Sequence, residues 1–132
     1  MKKFKLLVFI DDDHPTNVFH KIVVEESNLC ETSLFFTSPM EALQYFEDLA
    51  SQENPRFPDA IFLDINMPQI NGWEFIQNYR KLQIKESPVI IMLTTSSFSK
   101  DVERANSIDL VHKMINKPLE TNHLEELSDE LL

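Results

Sequence analysis

Three consecutive aspartates, Asp11, Asp12 and Asp13, follow the apolar run LLVFI of residues 6–10. Adjacent carboxylates repel one another, so a fold gathers them only where a cation or hydrogen-bond donors compensate the charge. Carboxylate oxygens are ligands that hard divalent cations such as Mg²⁺ prefer. Taken alone, DDDHP fits equally well a turn whose aspartate caps a helix. We expect Asp13 either to cap the first helix or to face solvent.

Three further residues that could do chemistry also follow apolar runs. Asp64 ends AIFLD, Thr94 follows VIIML, and Lys117 follows VHKMIN. Each has an ordinary explanation by itself, as a loop cap, a strand residue or a solvated side chain. Together they could transfer a phosphoryl group: Asp64 would be the nucleophile, and Lys117 and Thr94 would stabilise the charge on the phosphoryl oxygens. This chemistry requires that the fold bring the three side chains to one place.

The elements that would bring them together are short strands. Four apolar runs lack polar alternation, which is typical of strands buried on both faces. They lie at residues 6–10, 33–37, 60–64 and 89–93, and a weaker fifth candidate lies at 111–116.

Helical patterns separate these strands. They are TNVFHKIVVEES, SPMEALQYFEDLA, GWEFIQNYRKL, SKDVERANS and TNHLEELSDELL. In the first, Val18, Ile22 and Val23 are at helical spacing, and in the second Ser38 is a predicted N-cap before Pro39. Alternating strands and helices predict an α/β domain with a doubly wound, mostly parallel sheet. Ligands of such sheets bind outside the carboxyl ends of the strands, where the candidate site residues would meet.

Composition narrows the function classes. The 132 residues suit one domain. The net charge of −10 argues against sequence-independent binding of nucleic acid and against anionic membrane surfaces. No apolar stretch is long enough for a transmembrane helix, and the N-terminus lacks a signal-peptide pattern, so we expect a cytoplasmic location. The sole glycine, Gly72, excludes glycine-rich phosphate-binding loops.

Four segments then carry a family resemblance. FIDDDHP, AIFLDINMPQINGWEFI, VIIMLTTSS and INKPL occur in this order between residues 6 and 119. Together they resemble the receiver domain of two-component response regulators, of the kind seen in the single-domain chemotaxis regulator. The resemblance implies a flavodoxin-like (βα)5 sandwich with strand order 2-1-3-4-5. It also implies a single receiver domain over residues 1–132, without an output domain.

The resemblance implies specific roles in metal and phosphoryl binding. Asp64 resembles the aspartate that accepts the phosphoryl group. Asp11 and Asp12 resemble the acidic pair that holds Mg²⁺ or Mn²⁺, with Asp12 preferred as the direct ligand. Asp64 itself and the backbone carbonyl of Asn66 would complete the metal site. The side chains of Asn66 and Ser96 would influence the lifetime of the phosphorylated state.

Other positions resemble the switch and the loops around it. Thr94 resembles the hydroxyl residue that turns inward on phosphorylation. Lys117 resembles the phosphate-binding lysine, and its bond to Pro118 would be cis. Gly72 matches a loop position after the phosphorylation site, where it would allow a positive φ.

Three departures from the family pattern concern the switch. Met114 stands where an aromatic residue is common, so a flexible, polarizable side chain would couple the phosphate to the far surface. SIDLVHK, at 107–113, replaces a small pair before the fifth strand, and the turn there should differ. Thr95 replaces a small residue after Thr94, which leaves two candidate switch residues. We prefer Thr94 because it directly follows the apolar run.

The resemblance also implies partners. A sensor histidine kinase or a histidine phosphotransfer protein would donate the phosphoryl group. Phosphorylation would shift the surface of the fourth helix, fifth strand and fifth helix between two states. A downstream protein, or a second copy in a homodimer, would read that surface. Direct contact with nucleic acid or membrane is not expected, and the domain would be a signalling phospho-acceptor rather than an enzyme.

Two alternatives belong to other classes. A haloacid-dehalogenase-type phosphatase has a D-x-D motif after its first strand, which Asp11 and Asp13 match. In that case LDINMP would have no role. A pseudo-receiver that serves only as a scaffold is the second alternative, and the intact set of site residues argues against it. Reaction with a small phosphodonor distinguishes the three classes. A receiver would be stably labelled at Asp64, a phosphatase would turn over rapidly, and a scaffold would not react.

Overall fold

The computed structural model describes residues 2–95 and 99–132. These residues form a five-stranded parallel sheet in the order β2-β1-β3-β4-β5, which confirms the predicted doubly wound, flavodoxin-like topology. Ser96, which the resemblance implicates in phosphoryl lifetime, lies outside the described residues. The strands are β1 (Phe4–Ile10), β2 (Cys30–Phe36), β3 (Ala60–Asp64), β4 (Val89–Thr94) and β5 (Val111–Asn116).

In the described part of the chain, five helices connect and flank these strands. They are α1 (His14–Ser27), α2 (Pro39–Ala50), α3 (Gly72–Arg80), α4 (Ser99–Asn106) and α5 (Thr121–Leu131). Within the described ranges, no helix combines the length and the apolar character that a membrane crossing requires.

The strands bury side chains on both faces of the sheet, which explains why their apolar runs lack polar alternation. On one face, Ile61 and Leu63 pack with residues of α2, α3 and α4. On the other face, Phe9 and Phe62 stack at 4.4 Å between ring centroids and pack with residues of α1 and α5. All strands are parallel, so their carboxyl ends emerge at one edge between these two layers.

Side-chain caps fix where three helices begin. The Asp13 carboxylate accepts a hydrogen bond from the backbone N–H of Thr16 at 3.0 Å, which confirms Asp13 as the cap of α1. Ser38 caps α2, as predicted. Asn71 and Glu74 form a reciprocal capping box at the start of α3, with both hydrogen bonds at 2.9 Å.

The buried face of α1 differs from the prediction. Val18 and Ile22 are 45% and 48% exposed, whereas Val23 is partly buried and packs against the core. The buried residues of this helix are Asn17, His20 and Val24. These three lie on one face at spacings of three and four residues, nearly half a turn from Val18 and Ile22. The helix is oriented by hydrogen bonds of its buried polar side chains, and hydrophobic periodicity does not record them.

Gly72 is required for close packing rather than for an unusual backbone angle. Its φ is not positive, so the expectation of a left-handed conformation was wrong. Its N–H donates to the Ile65 carbonyl at 2.8 Å. A Cβ at this position would lie 2.8 Å from the Asp64 carbonyl oxygen and 3.0 Å from Cε of Met92. The first turn of α3 therefore lies directly against the backbone of Asp64.

We predict that Gly72→Ala destabilises the protein by about 1–3 kcal/mol, the usual cost of overpacking. The added methyl meets the backbone of Asp64, which cannot rotate away. Urea unfolding measures the difference. Gln77→Ala, at an exposed position of the same helix, serves as the control and should change stability by less than about 0.5 kcal/mol. An unchanged or higher unfolding free energy for Gly72→Ala would contradict the packing explanation.

Candidate functional site

Two strands deliver three carboxylates to the carboxyl edge of the sheet. Asp11 and Asp12 follow the last residue of β1, and Asp64 is the last residue of β3. Oxygens of the three side chains lie within 4.8 Å of one another. Asp11 and Asp64 are only 2% and 6% exposed, whereas Asp12 is exposed to solvent. The cluster is thus anchored in the core and open on one side.

Lys117 reaches this cluster from the turn that follows β5. Its Nζ lies 2.6 Å from Oδ2 of Asp11 and 3.2 Å from Oδ1 of Asp64. Its backbone N–H donates to the carbonyl of Thr94 at 2.7 Å, which ties the turn to the end of β4. The Lys117–Pro118 bond is cis, as the resemblance implied. The structure therefore brings Asp11, Asp12, Asp64 and Lys117 together.

Two features determine the electrostatics of this cluster: its carboxylates are partly buried, and the charge of Lys117 does not balance theirs. Burial raises the pKa of Asp64, and the nearby Asp11 carboxylate raises it further. Lys117 and the backbone N–H of Asn66 oppose this shift, and the resulting pKa is about 6. Burial alone would lower the pKa of Lys117, but its bonds to Asp11 and Asp64 outweigh burial and raise it. The ammonium therefore stays charged, and Asp64 remains destabilised as an anion.

The donor set fits a hard divalent cation. Three ionised carboxylates and one ammonium leave a formal charge of −2 in the cluster, which one such ion would neutralise. All side-chain donors are oxygens, as Mg²⁺ and Mn²⁺ prefer. Asp13 is not among the clustered carboxylates because it caps α1. The backbone N–H of Asn66 donates a hydrogen bond to the Asp64 carboxylate, which places Asn66 beside the cluster. That the Asn66 carbonyl is a metal ligand stays a prediction.

The two candidate switch threonines differ in their surroundings. Thr94 is buried at the end of β4, where it pairs with Asn116 of β5. Thr95 is exposed and lines a surface cavity of about 500 Å³. Lys117 and Phe19 line the same cavity, which therefore opens beside the acidic cluster.

Two buried polar residues of α1 also contact the segments that carry the site. The side-chain amide of Asn17 donates to the backbone carbonyl of Asp11 at 3.0 Å. Nε2 of His20 accepts from the backbone N–H of Leu119 at 3.4 Å, two residues beyond Lys117. Neither residue is among the site residues predicted from the sequence. Polar side chains at this spacing usually lie on a solvent face, so the sequence carries no signal that separates the two cases.

The model of the response regulator receiver domain family matches residues 7–129. The chain therefore belongs to this family, and it is a receiver domain of two-component signalling. That assignment agrees with the parallel sheet order and with the acidic cluster at the carboxyl edge.

Similar proteins support the same assignment. A two-component response regulator from Cytophaga hutchinsonii is 29% identical, with a TM-score of 0.89 and 98% of each chain covered. A response regulator receiver protein from Dyadobacter fermentans is 26% identical, with a TM-score of 0.82 and coverage of 96% of this chain and 97% of that chain. Response regulator Rcp1 from Synechocystis sp. is 24% identical over 99 residues, which are 74% of this chain and 67% of Rcp1.

The raised pKa of Asp64 predicts a pH-dependent loss of stability in metal-free protein. The folded carboxyl has a pKa of about 6, against an ordinary value of 3.8. The native state thus holds the proton to higher pH, and its stability falls as pH rises from about 4 to about 6. Asp64→Asn removes this effect. We expect it to stabilise the protein by up to about 3 kcal/mol at pH 7.5, and much less at pH 4.

Urea unfolding in EDTA at both pH values measures this difference. Asp109→Asn, at an exposed aspartate, serves as the control and should give a similar small change at both pH values. Equal effects of Asp64→Asn at pH 4 and pH 7.5 would show that the Asp64 carboxylate is not destabilised by burial and by Asp11.

The adjacent aspartates provide a matched test of metal binding. We predict that Asp12→Asn raises the dissociation constant for Mg²⁺ by on the order of tenfold or more, because it removes a carboxylate oxygen from the cluster. Asp13→Asn removes the same charge one residue away and retains a good N-cap. It should change the constant by less than about threefold. Isothermal titration with Mg²⁺ compares the two, and equal weakening would mean that only general charge attracts the ion.

Proposed function

We propose that Asp64 accepts a phosphoryl group from a phosphohistidine of a sensor histidine kinase or a histidine phosphotransfer protein. The observation that carries this proposal is the position of the Asp64 carboxylate, 3.2 Å from Lys117 and beside two further acidic side chains. A carboxylate so placed is a nucleophile with compensating charge at hand. The raised pKa of Asp64 adds a condition, since only the ionised carboxylate can attack.

In the transfer step, an oxygen of Asp64 bonds to phosphorus as the phosphorus–nitrogen bond of the donor breaks. The histidine nitrogen leaves with the electron pair, and Asp64 carries an acyl phosphate. A divalent cation bound by Asp11, Asp12, Asp64 and the Asn66 carbonyl would supply positive charge to the phosphoryl oxygens. Lys117 would contribute a second charge, since its Nζ already lies between Asp11 and Asp64. Hydrolysis of the acyl phosphate would reset the domain.

The phosphodonor would have to cover the surface beside Lys117. The cavity there is lined in part by Phe19, which is 47% exposed. Val18 and Ile22 extend this apolar surface along α1. Exposed apolar side chains grouped in this way are typical of a protein-binding surface. Their position next to the acidic cluster supports this surface as the place where the donor protein binds.

The output would pass through α4, β5 and α5. Thr94 is the proposed switch, because it is buried at the end of β4 and its carbonyl holds the Lys117 backbone N–H. Met114 of β5 is paired with Met92 of β4, so two flexible side chains would couple the site to this surface. Glu130 of α5 binds both His112 and Lys113 of β5, at 2.6 and 2.7 Å, and would keep these two elements together. A downstream protein or a second copy of the chain would bind there.

The phosphatase alternative has no support from the site. It requires Asp13 as a second catalytic acid, but Asp13 accepts hydrogen bonds from Thr16 as a helix cap. It would also leave Asp64, which lies 3.2 Å from Lys117 in the same cluster, without a role. The scaffold alternative would leave the two buried carboxylates, Asp11 and Asp64, without a role, although burying them costs free energy.

Intact mass after incubation with acetyl phosphate and Mg²⁺ tests the proposal. We expect one added phosphoryl group in the native chain, and none in Asp64→Asn or in the presence of EDTA. Asp59→Asn, at a half-buried aspartate near the other end of β3, serves as the matched control and should still be labelled. An adduct that persists in Asp64→Asn would place the nucleophile elsewhere. The absence of any adduct, with Mg²⁺ bound, would favour the scaffold.

A further inference from the structure

The inner face of α1 is unusual because most of it is polar. Two of the three buried residues of this helix, Asn17 and His20, are polar, and they are 4% and 1% exposed. The apolar side chains Val18 and Ile22 of the same helix face solvent. Burying polar groups costs free energy that an apolar face would not. Conflicts of this kind between local pattern and fold are expected where function requires them.

Asn17 joins the ends of two strands to the helix. Its Nδ2 donates to the carbonyls of Asp11 at 3.0 Å and Phe36 at 3.2 Å. Both neighbours are acceptors, so the amide orientation is fixed with the nitrogen toward the strands. Among the described residues, Oδ1 of Asn17 has no hydrogen-bond partner, which costs about 1–3 kcal/mol. This unfavourable arrangement holds the main chain at Asp11, where the acidic pair begins.

His20 contacts the other segment that carries the site. Its Nε2 accepts from the Leu119 N–H, so Nε2 is unprotonated and Nδ1 must carry the hydrogen of the neutral ring. Nδ1 is buried and finds no partner in the described part of the chain. Burial lowers the pKa of His20, against the opposing effect of Asp11, so the ring is neutral near pH 7. Its ring also packs against Phe9, at 5.9 Å between centroids.

We propose that Asn17 and His20 are positioning residues that together set the distance between the acidic pair and Lys117. We call them the polar brace. One end holds the backbone of Asp11 and the other holds the backbone two residues after Lys117. The Asp11–Lys117 contact at 2.6 Å spans the same two segments on the site side. The effect on phosphoryl transfer rests on the proposed function, whereas the effect on geometry does not.

The consequence for transfer follows from the sensitivity of such reactions to geometry. A displacement of about 1 Å in a positioned group can reduce a rate by on the order of a hundredfold. Residues that orient metal ligands by hydrogen bonding to them affect metal affinity by about 10- to 100-fold. Asn17 therefore acts on the acidic pair, and His20 acts on the turn of Lys117.

The tautomer of His20 tests the brace in metal-free protein. We expect nitrogen-15 NMR to show the proton on Nδ1 at pH 7. A proton on Nε2 would overturn the proposal, because Nε2 could not then accept from Leu119.

Amide hydrogen exchange at Leu119, relative to Phe62 in the sheet, gives a second readout that does not depend on activity. His20→Leu should speed this relative exchange by about tenfold or more. His20→Gln offers an acceptor at a similar reach and should restore protection to within about threefold. Val24→Ala, at the apolar buried position of the same helix, lowers overall stability without removing a side-chain hydrogen bond to either segment, and it should leave the ratio unchanged. Equal ratios in His20→Leu and Val24→Ala would overturn the His20 half of the brace.

Binding and transfer measurements complete the test. Asn17→Leu should raise the Mg²⁺ dissociation constant about tenfold, and His20→Leu should lower the rate of acetyl phosphate labelling at saturating Mg²⁺ by about tenfold. Val24→Ala should change each by less than about twofold. If both brace variants behave like Val24→Ala, the residues are structural only. If the native chain takes no phosphoryl group, the proposed function fails, while the tautomer, the exchange ratio and Mg²⁺ binding still decide the brace.

Discussion

Among the residues that the structure describes, three carboxylates share a single ammonium at the carboxyl edge of the sheet, and this imbalance of charge governs the rest of the site. The parallel sheet enforces it, because β1 and β3 are neighbours: Asp11 directly follows β1, and Asp64 is the last residue of β3. Lys117 binds Asp11 more closely than Asp64, so the carboxylate that is proposed to react is the one left less well compensated. Such a site is chemically suited to a divalent cation and a phosphoryl group, because the cation supplies the positive charge that the carboxylates and the phosphoryl oxygens need.

Close contacts between backbone segments keep this cluster in place. Gly72 lets α3 lie directly against Asp64, and Asn17 attaches α1 to the main chain of Asp11. The Lys117 backbone N–H is bonded to the end of β4, next to the proposed switch. Asp11, Asp64 and Lys117 thus project from backbone positions that neighbouring elements hold. Such support is what a transfer reaction requires, since it depends on positioning more than on covalent chemistry from the protein.

The sequence was sufficient to predict the sheet and the residues that gather at its edge. Buried parallel strands appear as uninterrupted apolar runs, and topology then brings Asp11, Asp64 and Lys117 together without further information. The sequence was insufficient to predict which face of α1 is buried, and it did not show why Gly72 is needed. Hydrophobic periodicity shows where apolar side chains recur but not which polar groups find hydrogen-bond partners. A glycine in a sequence does not show whether it is needed for a positive φ angle or for close packing.

Carbon-13 NMR of the aspartate carboxyls, with and without Mg²⁺, tests the charge imbalance most directly. We predict one carboxyl, absent in Asp64→Asn, that titrates near 6 in metal-free protein. Saturating Mg²⁺ should move its pKa well below that value, because the ion stabilises the anion. If the Asp64 carboxyl titrates near 3.8 both with and without Mg²⁺, the cluster is already neutralised by the protein, and the account of the site is wrong.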